Sequence, residues 1–415
     1  MTRKGLASSL AIAAATLAMA FTAVPTAAQN RPADLTVLPP VPTDFTPDRL
    51  PWGDYDFTGT FPIEPINNGR ILFQRPAEYG MRFWVNDEEF NRRLEAARRN
   101  DGNFTQANER GVGTSGTSGL ENWFLTHEFA KRTSMLVSPA DGQLPALTPQ
   151  AMELFREGRS GWVPGQAYDW VDDFDSWDRC VSRGFPASMY PFRYNNGIRV
   201  FQSPGYMTIV LEMLGTRVVK IYDSKEAAQA ARWDDAVEAW MGNSRGWWEG
   251  KTLVIETTNI VSGDSATSDV YARAASPLNM ATQFTGTLEV PAFNTVPMSS
   301  EAMTVERLTM VGPDAIMHEL TYSDPQVYTA PWTTRIQWTR EDDYEFFEYA
   351  CHEGNYMPRD YISASRAQQA RIRAGEEEAV TAENDDRSRF AQPFDRDPGV
   401  APPPPPAGAP PAGRN

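Results

Sequence analysis

Histidine and cysteine are scarce in this 415-residue sequence, which holds only His127, His318 and His352, and only Cys180 and Cys351. No two of the histidines fall within four residues of each other. The short-range ligand pair that announces most zinc sites is therefore missing, and neither a metal nor another cofactor is expected. Basic residues are in deficit, with 38 Lys and Arg against 54 Asp and Glu and a net charge of -16. That balance repels phosphate backbones and anionic lipid surfaces, which sets nucleic acid aside as a partner. Long apolar runs are absent after the first two dozen residues, so no membrane span is expected in the mature chain.

What the sequence does have begins with an export signal. Arg3 and Lys4 precede an uncharged Ala- and Leu-rich stretch from Leu6 to Val24, and the small residues Thr26, Ala27 and Ala28 follow. Ser8, Ser9, Thr16 and Thr22 dilute the apolar run, so residues 1–28 read as a cleaved signal peptide and not as an anchor. A periplasmic or secreted location follows. Without Arg3 and Lys4 the chain keeps 36 basic against 54 acidic residues, a charge of -18. Residues 29–55, with the proline-rich segment Leu38 to Pro47, read as an extended arm. Residues 56–373 read as a single β-rich domain with helical insertions. Residues 374–415, which carry Glu376, Glu377, Glu378 and the run Pro402 to Pro406, read as a disordered acidic and proline-rich tail. Two cysteines bound for an oxidising space favour a Cys180–Cys351 disulfide, against two free thiols or a reactive thiol beside His352.

Short runs of branched and aromatic residues, punctuated by glycine, proline and aspartate, predict strands at 198–203, 206–213, 217–222, 252–259, 302–311, 315–323, 332–340 and 344–351. Connections such as Ser203-Pro204-Gly205 are short, which predicts a mainly β fold, an antiparallel meander closed as a lipocalin-like barrel or folded as a sandwich. Flanking helices are expected at 87–99, 148–158 and 224–240, the second with Thr148 as its cap and Pro149 at its first position.

Several of these stretches also carry a resemblance: Arg75-Pro76-Ala77-Glu78-Tyr79, Asp141-Gly142-Gln143-Leu144-Pro145 and onward to Pro149, and Tyr194-Asn195-Asn196-Gly197. Gln202 to Tyr206, Trp240 to Gly246, Trp248-Glu249-Gly250-Lys251-Thr252-Leu253-Val254, Asp324-Pro325 and Tyr349-Ala350-Cys351-His352-Glu353-Gly354-Asn355-Tyr356 extend it. From Asp56 to about Arg366 the chain resembles a large family of secreted bacterial proteins for which no activity is established. The resemblance implies one cooperative unit over that span. It also marks a departure, because relatives often place a histidine and an acid after Glu212 and Met213, where this chain has Leu214, Gly215 and Thr216.

Two apparent motifs are rejected on context. Gly111, Gly113 and Gly116 match a dinucleotide pattern without a preceding strand or a following helix, and Ser115 and Ser118 lack the paired glycines of a nucleophile elbow. The polar cluster after Cys351 carries more chemistry. There His352 offers an acid or base, Glu353 or Glu348 an orienting carboxylate, Tyr356 a hydroxyl, and Arg245 or Arg179 a cation for an anionic group. Carboxylates at Glu212, Glu256, Glu306, Glu319 and Glu348 either gather inside a barrel or face solvent, depending on register. Among 12 tryptophans the adjacent Trp247 and Trp248 point to opposite faces of an extended segment, so one is a candidate for exposure.

The function expected from the sequence is recognition of a small apolar or carbohydrate-like ligand, a saccharide among them, with Trp247, Trp248, Tyr206 and Glu256 as binding residues. A lyase or hydrolase built on His352, Glu353, Tyr356 and Arg245 is the enzymatic alternative. A structural or interaction role in the cell envelope is the third.

Overall fold

Seven of the eight expected strands form, and three that local composition does not announce join them. The computed structural model describes residues 31–109, 119–151, 167–174, 179–182, 184–191, 195–261 and 298–379. The expected signal segment, the glycine-rich stretch 111–116 with Ser115 and Ser118, most of the helix expected at 148–158, Trp162, Trp177, Tyr194 and the residues beyond 379 lie outside the described residues. What is described of the expected helix at 148 starts at Pro149, where the Thr148 hydroxyl accepts from Ala151 N at 3.1 Å.

The strands are β1 (Gly59–Pro62), β2 (Leu136–Ser138), β3 (Gly197–Ser203), β4 (Tyr206–Leu211), β5 (Thr216–Tyr222), β6 (Asn243–Glu249), β7 (Thr252–Thr258), β8 (Met303–Gly312), β9 (Ala315–Ser323) and β10 (Trp332–Thr339). They make one sheet of ten in the order β1-β3-β4-β5-β6-β7-β8-β9-β10-β2. The helices are α1 (Glu64–Asn68), α2 (Asp87–Glu109), α3 (Leu120–Thr126), α4 (Lys225–Ala230) and α5 (Met357–Ala374).

Every ladder is antiparallel except that between β5 and β6. A parallel neighbour needs a crossover. The stretch 223–242 supplies it with α4, whose Ser224 hydroxyl caps Ala227 N at 3.2 Å. The meander is thus interrupted once, and the sheet is mixed.

The sheet curls until its first strand reaches the far end of β10. Glu341 N donates to Thr60 O at 2.8 Å, and Thr60 N donates to Asp342 Oδ1 at 3.2 Å. No ladder closes the gap, because β2 already pairs with β10 through Ser138 opposite Thr333 and Leu136 opposite Thr334. The result is a single open half-barrel, in place of the closed barrel or the sandwich expected from the sequence.

Tyr344–Cys351 is a second correction, for it pairs with no strand. Buried carboxylates take its polar groups instead. Phe347 N donates to Glu212 Oε1 at 2.9 Å, and the Tyr344 hydroxyl sits 2.9 Å from Glu64 Oε1 and 2.8 Å from Glu212 Oε2. Burial, reinforced by Glu64, pushes the Tyr344 phenol up and keeps its proton available for these acids.

Period-two alternation sends one set of side chains to the concave face. Val200, Ile209, Val219, Leu253, Ile255, Leu308, Leu320, Tyr322, Trp332 and Trp338 are all buried there. Phe73 fills the mouth, edge-on to Tyr190 and Trp332 at 5.5 and 5.4 Å. Across this apolar face runs one polar stripe. Arg217 forks onto both Glu306 oxygens and donates to Ser244 Oγ and Thr257 Oγ1 at 2.9 and 2.8 Å, while His318 Nε2 meets Glu306 Oε1 at 2.9 Å. Burial raises the Glu306 carboxyl, but Arg217 and His318 outweigh it and bring the group down to about 2.

Residues 31–55 cross the outside of this body in an extended path. Leu35 O accepts from Phe83 N at 2.9 Å, Val37 O from Trp84 Nε1 at 2.9 Å, Pro39 O from Arg335 Nη1 at 2.7 Å and Asp44 O from Lys251 Nζ at 3.0 Å.

Candidate functional site

The site is best built from the disulfide outward. Cys180 and Cys351 are bonded, with Cα atoms 5.7 Å apart and a separation of 171 positions in sequence. Arg179 therefore stands beside His352, and the Asn355 amide donates to Cys180 Sγ at 3.2 Å. Two residues on, α5 begins at Met357 with Pro358 in its first turn, where a missing N–H costs nothing. It ends at Gly375, whose φ of +73° suits a left-handed cap.

Helical spacing puts Pro358, Arg359, Ile362, Ser363 and Arg366 on one side of α5, facing Val171, Arg179, His352 and Asn355 across a groove of about 510 Å³. An aromatic cluster fixes the opposite wall to the helix: Tyr168 stacks on Phe174 at 4.8 Å and meets Tyr361 at 5.9 Å. Tyr168 N donates to Ser365 Oγ at 2.8 Å, and Arg366 donates to the Asp169 carbonyl.

The lining has one sign of charge. Three arginines and a histidine line the groove, and no carboxylate among the described residues does. Arg359 spends Nε and Nη2 on its neighbour Asp360 at 3.1 and 3.0 Å and lies over the Tyr356 ring at 5.1 Å. Trp170 and Tyr356 at the rim are largely exposed. A cationic cleft in an acidic protein concentrates anions, and guanidinium forks match carboxylate and phosphate edges.

Of the residues singled out from the sequence, His352 and Arg179 line this groove, and Glu353 and Tyr356 follow His352 in the same loop. The others are placed elsewhere. Arg245 is on the convex face of β6, bonded to Glu256 Oε1 at 2.8 Å and Thr258 Oγ1 at 3.0 Å, while Gln229 from α4 reaches Glu256 Oε2 at 3.1 Å. Trp247 is buried on that face against Ala228 and Val254. These three residues clamp α4 to the sheet. Trp248 points the other way, edge-on to Tyr55 and Phe57 at 5.4 and 5.5 Å, with Nε1 donating to Asp54 at 3.0 Å. The pair does face opposite sides, but neither ring is exposed. Tyr206 opens β4 and is 42% exposed on the convex face.

Glu306 is the one inward carboxylate of the mid-strand set, already held by Arg217, whereas Glu256 and Glu319 face outward to Arg245 and Arg335. The histidines sit apart: His318 is in the core, and His127 stacks on Trp123 at 5.8 Å, where burial lowers it. Among the described residues no group of three or more His, Cys, Asp or Glu is placed to hold a metal. Nor is any helix among them long and apolar enough to cross a membrane.

Sequence reasoning missed Arg359, Ser363 and Arg366. The signal was present in Pro358 at a helix start, Gly375 at its end and cationic residues seven apart between them. No protein-family model, curated protein or solved structure matches the chain.

Proposed function

We propose that this protein works outside the cytoplasm as a receptor for a small carbohydrate-like ligand bearing an acid group, a uronate being the simplest such molecule. The observation that carries this reading is the groove beside Cys180–Cys351, lined by Arg179, Arg359, Arg366 and His352 with no carboxylate among the described lining residues. Arginine forks take the acid, Asn355 and Ser363 offer hydroxyl partners, and the exposed rings of Trp170 and Tyr356 supply stacking faces at the rim. A disulfide-tied site fits an oxidising compartment.

The test is calorimetric titration with oligogalacturonate and with its neutral galactose counterpart, on the wild type and on Arg359→Ala/Arg366→Ala. Uronate binding that weakens at least about tenfold in the double variant, with little binding of the neutral sugar, supports the reading. Equal binding of both sugars, or none of either, removes it.

A second reading places chemistry in the same groove. His352 and the Tyr356 hydroxyl adjoin the cations, and a carboxylate held by arginine makes the neighbouring C–H easier to deprotonate. Formation of an unsaturated product, abolished in His352→Ala while binding persists, distinguishes a lyase from a receptor.

A further inference from the structure

Far from the groove in sequence, two arginines are buried with their donors unmatched. Arg132, at the entry to β2, is 1% exposed, and Arg75 is 2% exposed. The only hydrogen bond of the Arg132 guanidinium among the described residues runs from Nε to Phe83 O at 3.2 Å. Its Nη1 and Nη2 meet no acceptor among those residues, and neither do Arg75 Nε and Nη2. Arg75 Nη1 alone is satisfied, by Ala140 O at 2.7 Å and Gly80 O at 3.3 Å.

Both guanidiniums lie against one ring, Phe83, at 4.4 Å from Arg75 and 5.9 Å from Arg132. Trp84 and Phe129 complete the surroundings of Arg132 at 5.2 and 5.9 Å. Rings offer cations a π-face but no lone pair, so they do not replace a hydrogen-bond acceptor.

The charges nearby do not balance. Burial is the main influence pushing Arg132 down, Arg335 and Arg75 add to it, and Glu319 alone opposes them. Glu319 is already engaged by Arg335, whose Nε and Nη2 are 2.9 and 2.7 Å from its Oε1. Asp141 offsets part of the charge on Arg75. A guanidinium stays charged in proteins, and an uncompensated buried charge costs several kcal/mol.

The placement is built from sequence features that the groove does not use. Arg75 opens the stretch Arg75 to Tyr79, and Gly142 belongs to the stretch Asp141 to Pro149, the two joined by Arg75 N donating to Gly142 O at 2.9 Å. A Cβ at Gly142 would come within 2.7 Å of Arg75 Cβ and 3.0 Å of its Cζ. Backbone thus holds one side of the Arg75 guanidinium, and a ligand would have to reach the fork from another.

We propose that Arg75 and Arg132 bind a small oxyanion of the phosphate or sulfate kind through these four unmatched guanidinium nitrogens. This site is independent of the groove.

It is tested in the full chain carrying Arg359→Ala/Arg366→Ala, so that the groove does not contribute. Phosphate replaces chloride at constant ionic strength, which removes general salt effects, while the melting temperature and the arginine Nε–Hε NMR signals are followed. The expected result is a saturating rise in melting temperature with shifts of a small number of arginine signals, and an apparent affinity at least about tenfold lower when Arg132→Met is added. A rise that never saturates, no shifted signal, or an unchanged response in Arg132→Met overturns the site and leaves the donors to buried water. Should Arg132→Met fail to fold, Arg75→Met and the NMR titration of the Arg132-containing chain decide by the same criteria.

Discussion

Cys180 and Cys351 tie together two segments of the groove wall that faces α5: Arg179 precedes the first cysteine and His352 follows the second. The bond therefore positions groove-lining groups as well as closing a long loop. Cys180→Ser/Cys351→Ser is expected to lose about 2–5 kcal/mol of stability in urea titrations. In addition, its uronate affinity should fall when measured at a temperature where the variant is still folded. Unchanged affinity in the folded variant would separate the disulfide from the site.

Breaking the core ion pair should cost more than deleting it. Glu306→Leu leaves the Arg217 guanidinium buried without its carboxylate, at an expected loss of about 3–5 kcal/mol by urea denaturation. Arg217→Met/Glu306→Leu should recover a large part of that loss, because both charges leave together.

The same pair predicts acid sensitivity. Glu306 is held at about 2, below its ordinary value of 4.5, so the folded state favours the ionised form. Its contribution is complete above that ordinary value and is lost as pH falls from there towards about 2. Melting temperatures recorded across this window should drop steeply in the wild type and less steeply in Glu306→Gln, which carries no proton to gain.

Gly242 offers a purely steric test. Its φ is +65°, and a Cβ there would lie 2.6 Å from Thr257 Cγ2 and 2.7 Å from Thr258 O. Gly242→Ala is expected to destabilise by about 1–3 kcal/mol in thermal or chemical melts, whereas Gly250→Ala, where φ is +62° with open space around it, should lose less.

How far residues announce their own structure varied along the chain. The β8–β9 hairpin and the strand β10 after it were legible because Leu308, Leu320 and Ile336 alternate with polar neighbours and the Pro313-Asp314 turn between β8 and β9 is short. β6 was obscured by Gly246 and by Arg245, whose partner Glu256 becomes visible only when β7 is laid beside it. Tyr344–Cys351 looks like a strand by composition, yet Glu64 and Glu212, both remote in sequence, capture its polar groups. His352 was identifiable from its polar turn. Arg359 and Arg366 were not, because α5 was not read as a helix, and a groove is defined by which side of a helix meets which loop.

The bond between Thr60 and Glu341 joins the first strand to a residue some 280 positions later. Contacts of that separation are slow to form, since the intervening chain must lose its freedom before either end is rewarded. A chain emerging in order from its amino end cannot seat β1 against its last neighbour until nearly the whole domain is present. Such a topology keeps the nascent chain open until late in its synthesis.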